Sequence, residues 1–574
     1  VATICRILLL ACSVACIDSL APPQHHAVVV GAGPVGIAAA LALASHHGYS
    51  VTLLESSPAS SAQTQYDPTK AFLYNVNGRG QTLTKQFPSM HKKLVERGVP
   101  SSGFGAIKLT IVPGDPDEAL PRGEEKAEGT PDEEKSEIAK ATQSEKAAAP
   151  GYWLPRHEMV KLMAECVDEH NAQTKDNNKI TFSLGQECVS VEPTKKAGEG
   201  NCVCVTARDT EDGSLTLHQA ALVVGADGMN SKVRQCLAAA SKDAWQKNFD
   251  PKKFVPEKWT SPASHLRIKV LQFPPRFEVP DAPGHGPPLV TNSEGIYALR
   301  SVNTGPQDYL SLGLLPMKNN NAVRPTNIVT RPDHDVWKIK DGPPMQEYFQ
   351  KAFPRYDFGK GGMISEEEWE RFAKAEGTRF PYCQYCRGLA AWDEGGACGV
   401  TLVGDALHAF PPDIGQGVNA GLMDVVSLDR ALKGLDTETG EEMETGGAKS
   451  TKEEPPLGTR LERYQKQHAP EIAALIRLAR FGAPYQYKQP HRADRVLHAL
   501  WTVNLAMRLI LSKITFGLVQ PGCIILSQNK ELTYRQVMKR ADLTTAFFKT
   551  LLVGVFGLLV KQRYGFGFLK GLVA

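Results

Sequence analysis

From Ala27 the chain reads AVVV, a glycine turn, PVGIAAALALASHHG and then SVTLLESS. A short all-apolar run, an apolar stretch of helical length and a second short run predict strand, helix and strand in that order. Further along, ITFSLGQECVSVEP, CVCVTARD and LTLHQAALVVGADG are β-rich runs broken by turn residues, as are HLRIKVLQF, EGIYALRSV and DYLSLGLLP. They are expected to supply more strands of the first sheet and then a second sheet. From about Gly458 the pattern turns helical, through RLERYQKQHAPEIAALIRLAR and RADRVLHALWTVNLAMRLILSKI, and Leu543 to Val560 is apolar apart from Lys549.

Two stretches break these patterns. Arg122 to Lys146 and Thr437 to Pro456 are charge-rich and nearly free of large apolar residues, so both read as solvated loops without chemistry. At the start, Arg6 precedes an apolar run from Ile7 to Ile17 that is short for a span but fits the apolar core of a targeting signal. Residues 1–23 are therefore set apart from the fold.

The 574 residues include 42% hydrophobic and 22% charged positions, which describes an ordinary folded protein with a large core. Lys plus Arg number 65 against 62 Asp plus Glu, and the net charge of +3 offers no field for nucleic acid. Twelve cysteines are too few for a disulfide scaffold. Cys383 and Cys386 form a lone CxxC without a second pair, so they read as structural thiols and no metal is expected.

Three constellations carry chemistry. Gly31, Gly33 and Gly36 follow a strand and open a helix, which lets the backbone approach a pyrophosphate at the helix N-terminus. Glu55 ends the next strand, 19 positions after Gly36, where a carboxylate can accept both ribose hydroxyls and repel a 2′-phosphate. That favours FAD or NAD over NADP as the bound dinucleotide. In LVVGADGMNSKVR a strand delivers Asp227 and Gly228 to a turn, an arrangement equally compatible with a plain β-turn. In VTLVGDALHAFPPDIGQGVNAGLMD, a strand presents Gly404 and Asp405, and Gly415, Gln416, Gly417, Val418 and Asn419 lead into a long helix whose free N–H groups face whatever lies before it. His408 reads as a packing or local capping residue, because no acidic partner is evident nearby in sequence.

In this order and spacing, GAGPVG with Glu55, GADGMNSKVR and GDALHAFPPDIGQGVNAG resemble the three FAD fingerprints of the single-component aromatic hydroxylases. Within that class IGQGVNAGLMD, NGRGQTL, EYFQKAFP and LTYRQVMKRADLTTAFF are most similar to the kynurenine 3-monooxygenases. The resemblance implies an α/β fold: an FAD-binding Rossmann-like domain interleaved with a β-sheet substrate domain, followed by a C-terminal helical region. Its expected divisions are a targeting segment at 1–23, FAD-binding parts at 26–115, 150–250 and 386–435, and a charged insertion at 116–149. A substrate domain at 251–385, a loop at 436–457, helices at 458–542 and a membrane-anchoring helix and tail at 543–574 complete them.

It also implies the reaction. NADPH or NADH reduces the flavin as a transient co-substrate, O₂ adds at C4a, and the hydroperoxide hydroxylates an aromatic ring, converting kynurenine to 3-hydroxykynurenine in that subclass. No second GxGxxG follows a strand, which suits transient nicotinamide use. Gly31, Gly33, Pro34, Val35, Gly36 and Glu55 would hold the ADP half, Asp227 the pyrophosphate region and Gly404 with Asp405 the ribityl chain. Pro412, Gly415 and Arg156 would lie at the flavin ring, with Gln416, Gly417, Val418 and Asn419 beside them. The substrate contacts fall on Lys108, Tyr152 and Arg79, although Lys lacks the bidentate fork of the arginine that the kynurenine enzymes use.

The C-terminal helix implies membrane attachment, on an organellar membrane such as the mitochondrial outer membrane, another endomembrane or a plastid. Leu543 to Val560 spans about 27 Å as a helix, and Lys561 and Arg563 follow it as interfacial residues. A buried amphipathic helix is the alternative, since Lys549 interrupts the run. The helix before it is expected to cap the substrate cavity. Two other function classes remain open: a membrane-associated FAD reductase or epoxidase acting on a lipid or isoprenoid, and a flavin-binding protein without turnover.

Overall fold

The all-apolar Ala27–Val30 run lies inside a six-stranded sheet of the computed structural model, with apolar residues buried on both faces, as such a run requires. The structure describes residues 25–58, 73–101, 109–118, 120, 150–174, 176–194, 201–280, 288–302, 310–318, 323–441, 455–485 and 492–571, with side chains as far as Leu558. The targeting segment, the charged stretch 122–146, Lys108 and residues 442–454 lie outside these.

The sheet runs Ala390–Trp392, Gly399–Leu402, Leu222–Gly225, His26–Val30, Ser50–Glu55 and Ile180–Leu184. All neighbours are parallel except the first pair. Val28 stands opposite Thr52 on one side and Val223 on the other, so the strand ends at Val30, Glu55 and Gly225 come out at one edge. The helix Pro34–His47 makes the crossover. It is apolar nearly all round and is buried from Gly36 to Ala44, lying against the sheet and beneath the helices Arg156–Gln173 and Gly417–Leu432.

Only part of the expected strand assignment holds. Ile180–Leu184 and Leu222–Gly225 join the first sheet, but Gln186–Thr194, Cys202–Asp209 and Leu215–Ala220 form a separate antiparallel three-stranded sheet. Gly185, at φ +72°, turns the chain sharply between two runs that read as one. Leu109–Val112, expected in the nucleotide-binding part, pairs in parallel with Ile296–Arg300 at the edge of the second sheet.

That second sheet has the order Thr378–Arg379, Arg267–Phe273, Arg324–Thr330, Ser311–Leu314, Ile296–Arg300 and Leu109–Val112. Behind it pack the helices Gly342–Ala352 and Glu366–Lys374. The latter begins with an N-cap: the Ser365 side chain accepts from the Glu368 N–H at 3.2 Å. The aromatic centre of this core is Phe349, fully buried, with ring centroids 5.0 Å from Trp369, 5.6 Å from Phe353 and 5.8 Å from Phe372.

The helix Leu457–Phe481 covers the Gly417 helix, and the Tyr464 hydroxyl donates to the Leu402 carbonyl at 3.2 Å. Beyond it the helix Arg492–Ile514 does not cap a cavity with its apolar side. Val496, Leu500, Val503, Ile510 and Ile514 are each more than half exposed, as are Leu543, Phe547, Leu551, Leu552, Val553, Phe556 and Leu558 on the last helix, Tyr534–Gly571. Between the two helices Phe516 is 98% exposed. Tyr534–Leu558 is long and apolar enough to cross a membrane by length and composition.

Phe349→Ala should destabilise the protein by about 3–5 kcal/mol, because its surroundings are too rigid to collapse into the space. Urea unfolding followed by tryptophan fluorescence measures it; a loss below about 1 kcal/mol would show that this core is loosely packed.

Candidate flavin-binding site

The first glycine turn is shaped by close backbone approach. Gly31 sits at φ +104°, and a Cβ there would lie 2.4 Å from the Ala226 carbonyl oxygen; one on Gly36 would lie 1.8 Å from the Gly31 oxygen. These contacts press the first and second fingerprints together. A Cβ on Gly33, by contrast, would meet nothing within 4 Å. The helix that starts there has no side-chain cap and no acid in its first turn, so its N–H groups and positive dipole end face open space.

The third fingerprint is drawn in by the same means. Val35 fits into a nook left by two glycines: added Cβ atoms would lie 3.2 Å from it at Gly404 and 2.6 Å at Gly421. Val35, expected to touch cofactor, therefore has a packing side chain. Arg234, nearly buried, donates to the Ala406 carbonyl at 2.7 Å and the Met229 carbonyl at 2.6 Å, tying the second fingerprint to the third. All three turns thus converge.

Between Pro412 and Gly417 the chain alternates in exposure. Pro412, Gly415 and Gly417 are open, whereas Asp413, Ile414 and Gln416 turn inward. Gly415 takes φ +60°, and Cβ atoms on Gly415 or Gly417 would meet nothing within 4 Å. The Gly417 helix also begins without a side-chain cap or an early acid. Two residues expected at the cofactor instead hold this loop. Asn419, fully buried, accepts from the Asn77 N–H at 3.0 Å and donates to the Asn75 carbonyl at 2.9 Å and the Gly415 carbonyl at 3.2 Å. Gln416 accepts from the Tyr534 hydroxyl at 3.0 Å.

His408 does have an acidic partner, contrary to the sequence reading. Asp424, fully buried on the Gly417 helix, lies with Oδ2 at 2.8 Å from His408 Nε2 and Oδ1 at 2.7 Å from His468 Nε2, and Oδ2 also accepts from the Gly404 N–H at 2.7 Å. Burial alone would raise the Asp424 pKa, but the two imidazoles outweigh it and hold the carboxyl down at about 2. Burial likewise opposes the charge on His408, yet Asp424 raises it on balance. Asp405, next in sequence to Gly404, is exposed to the groove though enclosed by protein elsewhere; that enclosure, reinforced by the Asp424 charge, raises its carboxyl. Tyr74 was absent from the sequence reading. Its phenol, raised mainly by burial, lies within electrostatic reach of both Arg156 and Asp405, so the structure brings Arg156 and Asp405 to one place.

Other candidates are placed differently. Glu55 accepts from the Ala32 N–H at 3.0 Å and the Ser57 N–H at 2.9 Å, which fixes its carboxylate at the rim of the glycine turn. Asp227 turns to its own helix, Oδ2 accepting from Lys232 N–H at 2.6 Å and Val233 N–H at 3.1 Å, and acts as a cap. Arg79 is not a substrate contact: its guanidinium donates to the carbonyls of Ser527, Asn529 and Leu532 and lies 4.9 Å from the Tyr534 ring. Tyr152 packs against the first core, where a Cβ on Gly98 would lie 2.8 Å from it. Cys383 and Cys386 are buried free thiols, pushed up by burial to about 11 and about 12.

Two uncapped helix ends, open glycine surfaces at Gly33, Gly415 and Gly417, Glu55 at one end and Asp405 between them fit an extended dinucleotide with an anionic centre. Residues 24–253 and 389–444 match the FAD binding domain family, so the chain carries an FAD binding domain. Its fold is mixed α/β, with several sheets and C-terminal helices. The FAD-dependent monooxygenase cdmI of Talaromyces verruculosus is 32% identical over 115 residues, 17% of this chain; the chain spans 22% of the length of that relative. Among solved structures, 2-methyl-3-hydroxypyridine-5-carboxylic acid oxygenase aligns at TM-score 0.46 and 17% identity over 79% of this chain and 90% of its own. PqsL of P. aeruginosa in complex with 2-aminobenzoylacetate aligns at TM-score 0.44 and 16% identity, over 79% of this chain and 95% of its own.

Asp424→Ala should cost about 3–5 kcal/mol, since it strips two buried imidazoles and the Gly404 N–H of their partner. The stabilisation from Asp424 is complete above its ordinary value of 3.8 and is lost as pH falls from there towards about 2. That from His408 is complete below its ordinary 6.5 and fades as pH rises through its higher folded value. Thermal melts across pH should show both limbs in the native chain and neither in the variant.

Proposed function

We propose that the protein is an FAD-dependent monooxygenase of the aromatic hydroxylase type, using NADPH or NADH and O₂ to hydroxylate an aromatic ring. The observation that carries this reading is the convergence of three separated turns on one groove with two free helix N-termini. The FAD binding domain match and the relative's name as a monooxygenase support it. Bound FAD would supply the electron transfer and oxygen activation.

The chain's own groups then have defined tasks. Gly33 and the start of the Pro34 helix hold the pyrophosphate, and Glu55 accepts from ribose. The start of the Gly417 helix, uncapped and without an early acid, would stabilise negative charge on the bound ring. Asp405 would accept from the ribityl chain, with Tyr74 and Arg156 beside it. Pro412 and Gly415 form the wall that excludes water over the ring.

Kynurenine is the acceptor that the sequence runs favour. Their support is confined to IGQGVNAGLMD, NGRGQTL, EYFQKAFP and the LTYRQVMKRADLTTAFF ending, since Arg79 and Tyr152 are engaged elsewhere. Detergent-solubilised protein should be yellow, oxidise NADPH or NADH faster with kynurenine or a phenol present, and yield a product heavier by one oxygen. Colourless protein that takes up no FAD removes the reading; oxygen inserted only into a lipid moves it to the epoxidase class.

Membrane attachment belongs to the same proposal. Exposed apolar side chains on two successive helices, with Phe516 and Leu518 at their junction, support burial in lipid and leave Arg508 on the protein side, bonded to Thr545 Oγ1 at 2.8 Å. Glutamate at both Leu500 and Val503 should lower binding to vesicles about tenfold or more, because burying each such side chain supplies about 1.5–3 kcal/mol. Vesicle flotation measures this, and unchanged flotation would exclude the Arg492–Ile514 helix from the lipid contact.

A further inference from the structure

The Arg492–Ile514 helix carries its outward apolar residues in one line. Val496, Leu500, Val503, Met507, Ile510 and Ile514 are all exposed, and their alternating spacing of four and three keeps them on one face along the whole helix. Trp501, Leu505 and Arg508 stand on the opposite face and hold the helix to the protein. Trp501 Nε1 donates to the Phe481 carbonyl at 3.3 Å, and Leu505 packs on the apolar cluster that contains Ile524 and Val537. Arg508 donates to the Ala541 carbonyl at 3.3 Å and to Thr545 Oγ1 at 2.8 Å. Thr502 and Asn504 border the apolar line on its two sides, so the helix is amphipathic and suited to lie along a lipid surface, not through it.

The charge beside this line is one-sided. The Arg492–Ile514 and Tyr534–Gly571 helices together hold eleven Lys and Arg against two acids, Asp494 and Asp542. Asp494 is half-buried, and Asp542 is bound by Arg477 at 2.9 Å. Arg495 and Lys513 are about five helical turns apart and so share one flank of the apolar line. On the last helix Lys539 and Arg540 stand one turn before Leu543, where apolar exposure begins. Lys549 lies about 9 Å further along the axis than Leu543, and its stem can reach back to the same level. These five side chains are exposed, and none has a carboxylate partner among the described residues. Other helices match their exposed lysines one turn away, Lys92 with Glu96, Lys351 with Glu347 and Lys466 with Glu462. An apolar face bordered by cations that lack counter-charges complements a surface with fatty chains beneath and phosphates beside them.

We propose that this helix pair docks selectively on anionic lipid, with the apolar line from Val496 to Ile514 at the acyl boundary and Arg495, Lys513, Lys539, Arg540 and Lys549 holding lipid phosphates at the headgroup level. Burial of apolar side chains gives affinity for any bilayer; the unpaired cations are what distinguish an anionic one from a neutral one. Arg508 joins the two helices at Ala541 and Thr545, so Lys513, Lys539 and Arg540 all lie within about two turns of the crossing. The inference rests on the membrane-attachment reading and adds to it the class of lipid.

The full chain can be offered phosphatidylcholine vesicles and vesicles of phosphatidylcholine mixed with phosphatidylserine at once, and its distribution read after flotation. At low salt it should favour the anionic vesicles by about a hundredfold or more, since each cation near the surface contributes about fivefold. Salt at about 1 M should remove that preference. Arg495→Gln, Lys513→Gln, Lys539→Gln and Arg540→Gln combined should bind pure phosphatidylcholine as the native chain does and keep a preference of about fivefold or less. Lys539→Gln with Arg540→Gln alone should lose about 25-fold of the preference, so a poorly folding fourfold variant does not end the test. Equal distribution of the native chain between the two vesicle types, or a preference that survives the substitutions, overturns the lipid assignment and leaves membrane attachment standing. A native chain that floats with neither vesicle overturns membrane attachment, and this inference with it.

Discussion

Asp424 is a full charge in the protein interior, and it is stable there because His408, His468 and the Gly404 amide supply what water would have given. These three partners come from the third fingerprint turn and the Leu457–Phe481 helix. Gly404 is the residue before Asp405, so the position of Asp405 in the groove is set from behind by a carboxylate that never reaches the groove. His468 ties the covering helix to the same point. If this buried charge lost its partners, the turn, the covering helix and the loop that opens the Gly417 helix would all lose their common reference.

Small residues let that reference be shared with the rest of the site. Gly31 against Ala226 and Gly36 against Gly31 are backbone approaches that leave no room for a Cβ, while Gly404 and Gly421 make space for the Val35 side chain. They draw the three fingerprint turns, and the two helix N-termini they open, together. Where nothing presses, at Gly33, Gly415 and Gly417, the absence of side chains serves a different end and leaves room for a ligand. The same residue type thus serves packing at some positions and access at others.

The C-terminal region belongs to this arrangement. Glu471 caps the start of the last helix through the N–H groups of Tyr534 and Arg535, Arg79 gathers the carbonyls before it, and the Tyr534 hydroxyl reaches Gln416 in the flavin loop. The last helix is therefore anchored directly to the candidate site, and the Arg492–Ile514 helix is joined to it through Arg508.

The local parts of this protein were legible in its sequence. The strand, glycine turn and helix from Ala27, the Glu55 strand end and the uncapped helix at Gly417 follow from residue spacing, because backbone turns and periodic burial are short-range constraints. What spacing could not show is which polar side chains meet. His408 and Asp424 are 16 positions apart and His468 a further 44 from Asp424, with no pattern linking them. Nor could it show that Arg79 serves a distant loop, that Tyr74 lies within electrostatic reach of both Arg156 and Asp405, or that Gly185 sends one β-rich run into another sheet. The sequence by itself determined the turns and the chemistry available at them; the tertiary structure decided which charges are paired, since pairing in a low-dielectric interior depends on approach within about 3 Å, a distance that folding alone sets.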